Sequence, residues 1–208
     1  MDARAHSATP ALTERVVFVT NDAEAPSLFL NFIQPLKSVS GLETAFVTEN
    51  DLKADAQELG EWRVSPAAVE RLTSRLADFD PTLIVFCRYS GPCAPEIVEW
   101  ARAAGKATIY HIDDDLLQVP KDIGEEKARY HNQPRRLHTV RYLLDNATLA
   151  YCSTETLRQG LFGDAVSPRI LAGDICSAAD CLAPPTTDEA PSSATWALAA
   201  TTSISRPP

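Results

Sequence analysis

Five short apolar runs recur along the chain, and each is followed by a pattern typical of an amphipathic helix. The runs cover residues 15–20, 42–47, 82–87, 107–112 and 148–152. Their apolar positions are continuous rather than alternating, as in strands that are buried on both faces of a parallel sheet. Alternating strands and helices therefore predict a doubly wound α/β domain, with a mostly parallel, Rossmann-like sheet and helices on both faces.

Start and stop signals separate these elements. Ser27 and Ser65 are predicted helix N-caps, because a serine hydroxyl can accept a hydrogen bond from a free N–H group of the first turn. Pro95 and Gly105 are predicted to begin and end the helix after the third run. The remaining two helices are predicted at residues 135–146 and 153–163.

The composition divides the chain into three parts. Residues 12–172 carry the periodic pattern, and residues 1–11 are predicted to be a flexible N-terminus. After Gly173 no periodicity remains, and Ala, Ser, Thr and Pro supply about two thirds of residues 174–208. Such a segment buries too little apolar surface to offset the entropy of ordering it, so residues 173–208 are predicted to form a disordered or out-of-frame tail.

Charge and cysteine usage narrow the class of protein. The formal net charge is −9, so the chain lacks the positive field that favours nucleic acid as a partner. No apolar run approaches the length of a membrane span, and no signal peptide is recognisable. An odd number of cysteines, two of them in strand-like runs, favours reduced thiols and a cytoplasmic protein. Cys176 and Cys181 lack the partners of a zinc site, so no metal is predicted.

The most unusual stretch is Tyr110–Pro120, in which three consecutive aspartates, Asp113 to Asp115, follow a predicted strand. Carboxylates so close together must be solvated, bridged by a cation or an arginine, or partly protonated. One interpretation is a solvated loop in which one aspartate caps the next turn. The other is a site at the carboxyl edge of the sheet, with His111 as a base rather than a structural histidine.

Two further strand ends carry candidate binding residues. Arg88, Ser90 and Gly91 follow the third run, where a hydroxyl and a close backbone approach suit a sugar or phosphate; a plain tight turn is equally compatible. Ser153 and Thr154 end the fifth run, where helix capping is the alternative role. A basic group is expected to be a solvated helix face rather than an anion site. Its members are Lys127, His131, Arg135, Arg136 and Arg141.

Three segments together resemble the N-terminal domain of a bacterial GT-B glycosyltransferase of the large "group 1" class. They are Phe86–Tyr89, Tyr110–Leu117 and Leu149–Leu157, and the resemblance covers roughly residues 15–172. It implies two Rossmann-like domains facing across a cleft, with the nucleotide-sugar donor held mainly by the second domain and the acceptor contacted by the first. The chain would then be an acceptor-side half, a hexosyltransferase in its full-length form and inactive as this truncated chain.

The resemblance also implies roles and partners. Asp113, Asp114 and His111 would orient or deprotonate the acceptor hydroxyl. The substrate-binding residues would be Arg88, Ser90, Gly91, Ser153 and Thr154. The partners would be a sugar or glycan acceptor and a nucleotide sugar, with peripheral membrane association through a lipid-linked acceptor. No bound cofactor is expected, because residues 21–26 lack the glycine-rich loop of a dinucleotide site.

The tail offers a hypothesis for the truncation. Codons for Ser192–Ala197, read in a shifted frame, permit Val-Gly-Tyr-Met-Gly, which resembles the first strand of a second GT-B domain. The chain would then be a frameshifted product that diverges near Gly173.

A second class stays open, namely a non-catalytic flavodoxin-like or receiver-like binding module. A receiver needs an acidic pair after its first strand, where Asn21-Asp22 supplies one carboxylate, and an aspartate after its third strand, where Arg88 stands.

Overall fold

A six-stranded parallel sheet forms the centre of the molecule. The computed structural model describes residues 14–53, 56–59, 61–165 and 167–173. The strands of the sheet are β1 (Glu14–Thr20), β2 (Leu42–Thr48), β5 (Leu83–Cys87), β6 (Ala107–Ile112), β7 (Leu149–Cys152) and β8 (Ile170–Ala172). Their order is β2-β1-β5-β6-β7-β8, and every pair is parallel. The predicted doubly wound α/β fold is confirmed.

Two features of the sheet region were not predicted. Strands β3 (Ala56–Leu59) and β4 (Glu61–Val64) form a separate antiparallel pair between β2 and β5 in the chain. Strand β8 adds a sixth member at one edge of the main sheet, beside β7. Both lie between Glu14 and Ala172, within the stretch that carries the periodic pattern.

Helices connect the strands. They are α1 (residues 26–36, with a π-helical turn at Phe29–Ile33), α2 (Glu49–Lys53), α3 (Pro66–Phe79), α4 (Ala94–Ala103), α5 (Glu125–His131), α6 (Pro134–Asn146) and α7 (Glu155–Phe162). A single 3₁₀ turn, Lys121–Ile123, precedes α5.

The two faces of the sheet are covered unequally. The larger core holds Val17 and Val19 of β1 with apolar residues of α3, α4 and α6, and α7 packs against it. Val16 and Phe18, the alternate positions of β1, point into a smaller core under α1. Connections between parallel strands are right-handed, so the side of the sheet on which a helix lies depends on the direction in which the next strand is added. That direction reverses after β2, and α1 therefore lies on the opposite face from the later helices. Continuous apolar runs follow, because each central strand contacts both cores.

The predicted helix starts met different outcomes. Ser65 caps α3 as predicted, accepting a hydrogen bond from the N–H of Ala68 at 3.2 Å. The N-cap predicted at Ser27 is wrong. Pro26 occupies the first turn, so the N-cap falls on Ala25, which has no capping side chain. The hydroxyl of Ser27 is buried and instead accepts a hydrogen bond from Arg88.

Several expectations fall outside the described residues, namely those on residues 1–11, on 174–208 and on the recoded stretch 192–197. Within the described ranges, no helix has the length and apolar character that crossing a membrane requires. Cys87, Cys93 and Cys152 are buried free thiols.

Candidate functional site

The polar residues of interest lie at the carboxyl edge of the sheet. The chain leaves β1 for β2 on one side, and β5 pairs with β1 on the other, so the topology switches between β1 and β5. In open α/β sheets this switch creates a crevice in which ligands bind. The loops after β1, β5 and β6 bring Asn21, Arg88 and Asp113 together there.

Arg88 is the centre of this cluster. It has a left-handed backbone with φ +50°, a conformation that a non-glycine residue rarely adopts, and its N–H donates to the carbonyl of His111 at 2.9 Å. Its Nη2 donates to Oδ2 of Asp114 at 2.5 Å and its Nη1 to Ser27 at 3.1 Å. Positive-φ residues persist where their surroundings hold them, and they concentrate at functional sites.

The three aspartates differ in their surroundings. Oδ1 of Asp113 lies 2.8 Å from Nε of Arg88, as an ion pair without an aligned hydrogen bond. The side chains of Asp113 and Asp114 are 15% and 62% exposed. Asp115 turns away and accepts the N–H of Leu117 at 2.9 Å. An arginine bridge, one of the three predicted arrangements, therefore holds two carboxylates, and Asp115 takes the capping role.

Asn21, which was not predicted as a site residue, fixes the turn after β5. Its Oδ1 accepts the N–H of Ser90 at 3.1 Å, and its Nδ2 donates to the carbonyl of Arg88 at 3.1 Å. The same Nδ2 lies 3.4 Å from Oγ of Ser90. The sequence does contain a signal for this role, namely a short amide side chain directly after a buried strand. The carboxyl ends of parallel strands meet at one edge of the sheet, so such a residue lies close to the loops that follow the neighbouring strands.

A buried ion pair supports the same turn from behind. The side chains of Arg136 and Glu49 are 1% and 3% exposed, and their two hydrogen bonds measure 2.5 and 2.9 Å. Tyr130 donates a third hydrogen bond to Glu49, and the Arg136 guanidinium lies 3.7 Å from the centre of the Tyr130 ring. Arg136 also donates to Oγ of Ser90 at 3.1 Å. The solvated helix face expected for this basic group is therefore wrong for Arg136, because its charge is neutralised in the interior.

Gly91 has a packing reason to be glycine. A Cβ atom there would lie 2.7 Å from the Tyr89 hydroxyl, which is fully buried and donates to the carbonyl of Pro92. The carbonyl of Gly91 accepts a hydrogen bond from Thr139 at 3.2 Å. The tight-turn interpretation therefore accounts for this glycine without a ligand, and its role in substrate binding stays a prediction.

His111 lies beneath the cluster and is fully buried. The ring of Phe32 packs edge-on at 5.0 Å, and the Cys87 sulfur lies 3.8 Å from Nδ1. Nε2 is buried without a hydrogen-bond partner in the described part of the chain. Burial lowers the pKa of His111 to about 4; Asp113 raises that pKa and Arg88 lowers it further. The imidazole is therefore neutral at pH 7, and its role as a base stays a prediction.

Ser153 and Thr154 stand at the end of β7. Ser153 is buried, with its Oγ 3.5 Å from the carbonyl oxygen of Asp113, so it adjoins the aspartate loop. The hydroxyl of Thr154 accepts the N–H of Leu157 at 3.1 Å and caps α7, which is the alternative role considered for it. Substrate contacts by these two residues stay predictions.

The assembled site places a hydrogen-bond acceptor with negative charge next to a hydrogen-bond donor with positive charge. Asp114 presents a largely exposed carboxylate, and Arg88, itself 31% exposed, presents a guanidinium. Within the described ranges, no three or more His, Cys, Asp or Glu side chains are arranged to hold a metal ion. An exposed carboxylate beside a guanidinium can bind a hydroxyl-bearing ligand, since a hydroxyl both donates and accepts hydrogen bonds.

Fold and edge together define a Rossmann-like parallel α/β domain with a cluster of polar side chains at its switch point. No family model and no curated protein matches the sequence significantly. Among solved structures, the chain is similar to a UDP-N-acetylglucosamine 2-epimerase (TM-score 0.46, 12% identity), over 76% of this chain and 45% of that one. It is also similar to RedJ (TM-score 0.39, 12% identity, 97% and 98% coverage). A third is the ADP-L-glycero-D-manno-heptose-6-epimerase of Helicobacter pylori (TM-score 0.37, 11% identity, 67% and 54% coverage).

Proposed function

We propose that this chain is the acceptor-side domain of a glycosyltransferase that uses a nucleotide-sugar donor. The observation that supports it most is the Arg88 cluster, which gathers two carboxylates at the switch point of the sheet. Ligands of open α/β sheets bind at this place, and a sugar hydroxyl can donate to a carboxylate while it accepts from a guanidinium.

The two carboxylates have different roles in this proposal. Asp113 is held by Arg88 and is mostly buried, so its position is fixed enough to take the proton of an acceptor hydroxyl as the new bond forms. Asp114 is open to solvent and orients the acceptor by accepting a hydrogen bond from a second hydroxyl group. Ser90 and Ser153 are buried beside Asn21 and the aspartate loop, and the buried His111 ends the strand that leads into that loop.

The loop after β1 favours an acceptor over a nucleotide at this edge. Residues 21–25 contain no glycine and carry two acids, Asp22 and Glu24. Phosphate groups are usually cradled by glycine-rich loops that expose backbone N–H groups, whereas acidic side chains repel them. The donor is therefore assigned to a second domain, in line with the family resemblance.

Asparagine variants test this assignment in a form of the protein that also carries a donor-binding domain. Asp113→Asn should reduce turnover by about 10²- to 10⁴-fold, because a positioned general base contributes that much. Asp115→Asn is the matched control, since its carboxylate is used in a turn. Turnover of the Asp113→Asn variant as high as that of the Asp115→Asn control would contradict the proposal.

The 208-residue chain alone should show little or no transferase activity, because donor and acceptor must be held in line by two domains. A panel of UDP-, GDP- and ADP-sugars, with product detected by mass spectrometry, checks this. Robust turnover by the isolated chain would mean that the donor is bound here as well.

A receiver-like module is the second candidate, and one observation, the order of the strands, favours it. Numbered in chain order without the hairpin, the sheet reads 2-1-3-4-5-6, and flavodoxin-like folds begin in this way. However, the residue after the third strand is Arg88, already paired with Asp113 and Asp114. Incubation with acetyl phosphate and Mg²⁺ should give no phosphorylated protein, and stoichiometric phosphorylation would favour the receiver instead.

A further inference from the structure

The segment between β6 and α6 contains a histidine that is not part of the Arg88 cluster. Strand β6 ends at the carboxyl edge of the sheet, and α6 begins on that side and returns toward the opposite edge. His131, the last residue of α5, therefore lies on the side of the sheet that carries the Arg88 cluster. The next residue, Asn132, donates a hydrogen bond of 2.7 Å to the carbonyl of Val119, which joins the end of α5 to the segment that follows the aspartate loop.

The neighbours of His131 connect it to the Ser90 turn. Its ring meets the ring of Tyr130 edge-on, with the two centres 5.1 Å apart. Tyr130 donates a hydrogen bond to the buried Glu49 at 3.0 Å. The guanidinium of Arg136 lies 3.7 Å from the centre of the Tyr130 ring and donates to Oγ of Ser90 at 3.1 Å. A packed network therefore fixes the imidazole of His131 relative to this turn.

The two histidines near the edge differ in what can reach their nitrogen atoms. His111 is fully buried and its Nε2 is closed to water, so a ligand cannot contact that atom. His131 is only partly buried. Its ring nitrogens have no hydrogen-bond partner in the described part of the chain, and they do not belong to the buried, unpaired atoms found there. Both nitrogens are therefore open to water and can form hydrogen bonds with a ligand.

Four charged groups act on the imidazole of His131. Burial lowers the pKa of His131 below its ordinary value of 6.5, and the charges of Arg136 and Arg88 lower that pKa further. The carboxylates of Asp114 and Glu49 act in the opposite direction and raise it. The ring is therefore neutral at pH 7, with one nitrogen as a donor and the other as an acceptor. Its interactions with Arg88 and Asp114 indicate that it lies near this exposed pair.

We propose that His131 is a third ligand-binding residue of the carboxyl edge and contacts the same hydroxyl-bearing ligand as Arg88 and Asp114. A neutral imidazole adds no positive charge to the edge, so it suits an uncharged ligand better than a phosphate group. A donor and an acceptor on one ring match two neighbouring hydroxyl groups, as a sugar presents them. The choice of a sugar rests on the proposed function, whereas the position of His131 beside Asp114 does not.

The pKa of His131, followed by NMR of its ring protons, tests this position without a ligand. Asp114→Asn should lower the pKa, because it removes a carboxylate that raises it. Asp115→Asn is the matched control and should leave the pKa unchanged, since that carboxylate bonds within its own turn. The same pKa in the Asp114→Asn variant and in wild type would show that His131 is remote from the exposed pair, and would overturn the proposal.

Binding is tested with the methyl glycosides of glucose, galactose, mannose and N-acetylglucosamine, titrated into the intact chain. At least one probe should shift the ring signals of His131 saturably, with a Kd of about 1 mM, as expected for about a dozen ligand atoms. The ring signals of His138, an exposed histidine on α6, are the internal reference and should not move. A His131 ring unmoved by all four probes at about 50 mM, far above the expected Kd, would overturn the proposal.

Two variants of His131 separate a ligand contact from a structural role. His131→Leu removes both ring nitrogens and should weaken binding by about 5- to 10-fold, as measured through the backbone amides of Arg88 and Asp113. His131→Gln keeps a donor and an acceptor and should recover most of this loss. His138→Leu is the matched control and should bind as wild type does. Equal affinity of the His131→Leu and His138→Leu variants would overturn the proposal.

The same amides separate this inference from the proposed function. Shifts of the Arg88 and Asp113 amides without a shift of the His131 ring would support the acceptor edge and overturn the role of His131. A shift of the His131 ring without shifts of these amides would support ligand binding by His131 and count against the acceptor role of the aspartate loop.

Discussion

Two arginines at the same edge of the sheet hold carboxylates in opposite surroundings. Arg136 and Glu49 are 1% and 3% exposed and share two hydrogen bonds, with Tyr130 as a third partner. Arg88 and Asp114 are 31% and 62% exposed, and they meet through one hydrogen bond. Both arginines reach the Ser90 turn, Arg136 through its side chain and Arg88 as the neighbouring backbone.

The difference shows how an edge can be both rigid and open to a ligand. A buried pair cannot exchange its partners without leaving a bare charge in the interior, so Arg136 and Glu49 fix the Ser90 turn. An exposed pair gains little net free energy, because water competes for both groups. Arg88 and Asp114 can therefore exchange their mutual contact for hydrogen bonds with a ligand hydroxyl, at a small cost in the free energy of unfolding.

Removing Arg136 should have the largest effect on stability. Arg136→Met leaves the buried Glu49 with only Tyr130 and the more distant Lys53, whose Nζ lies 3.8 Å away, which should lower the free energy of unfolding by about 3–5 kcal/mol. Urea denaturation followed by circular dichroism measures this loss. Adding Glu49→Gln to the same variant should recover part of the loss, because the bare charge is then removed. A change below about 1 kcal/mol for Arg136→Met would erase the distinction between the two pairs.

His111, at the end of the strand that leads into the aspartate loop, should make the free energy of unfolding decrease as the pH is lowered below 6.5. Its pKa is about 4 in the folded state against 6.5 ordinarily, so below pH 6.5 the unfolded chain binds a proton that the folded chain does not. The free energy of unfolding is therefore unaffected above pH 6.5 and should drop by about 3 kcal/mol as the pH falls to 4. Urea titrations at pH 7, 6 and 5 measure this slope.

Replacing His111 by Asn should reduce the slope between pH 7 and 5, and the remainder should come in part from His131, whose pKa burial also lowers. Replacing His138, an exposed histidine, is the matched control. An identical slope in wild type and the His111 variant would show that the pKa of His111 is the same in the folded and unfolded chains.

Gly91 tests how tightly the shared turn is packed. Gly91→Ala puts a Cβ atom 2.7 Å from the buried Tyr89 hydroxyl, so the ring or the turn must shift, at a cost of about 1–3 kcal/mol. Gly160, in the interior of α7, has nothing within 4 Å of the same added atom. Gly160→Ala should instead stabilise by about 0.5–1 kcal/mol, since alanine favours helix. Thermal unfolding of the two variants compares them, and equal losses would contradict the close contact at Tyr89.

The sequence predicted what local patterns encode. The five apolar runs identify strands because burial on both faces makes most of their positions apolar. The aspartate loop after β6 could be placed at the site because parallel strands end at one edge. Strand β8, only Ile170–Ala172, is too short for a recognisable run. The arginine bridge was one of three open arrangements, and only the fold could select it.

The buried pair could not be predicted for a different reason. Glu49 and Arg136 are 87 residues apart, and each belongs to a short charged stretch that is typical of a solvated helix face. No local pattern distinguishes a charge that will be neutralised in the interior from one that stays in water. Ser27 is a less severe case. Serine is a good N-cap residue, but the preceding Pro26 begins the helix and places Ser27 inside its first turn.

The smallest expected effect concerns Asp114 and sharpens the distinction between the two pairs. Asp114→Asn should change the free energy of unfolding by less than about 1 kcal/mol, because an exposed ion pair contributes little and Arg88 keeps its contact with Asp113. Whatever loss occurs should shrink in 1 M salt, where charges are screened over about 3 Å. The loss caused by Arg136→Met should persist at that salt concentration, since buried charges are screened much less. Urea denaturation of both variants at low and high salt gives four values to compare. A loss for Asp114→Asn that matches the Arg136 variant and does not depend on salt would show that the Arg88 cluster is as closed as the Glu49 pair, and therefore unsuited to exchange its partners for a ligand.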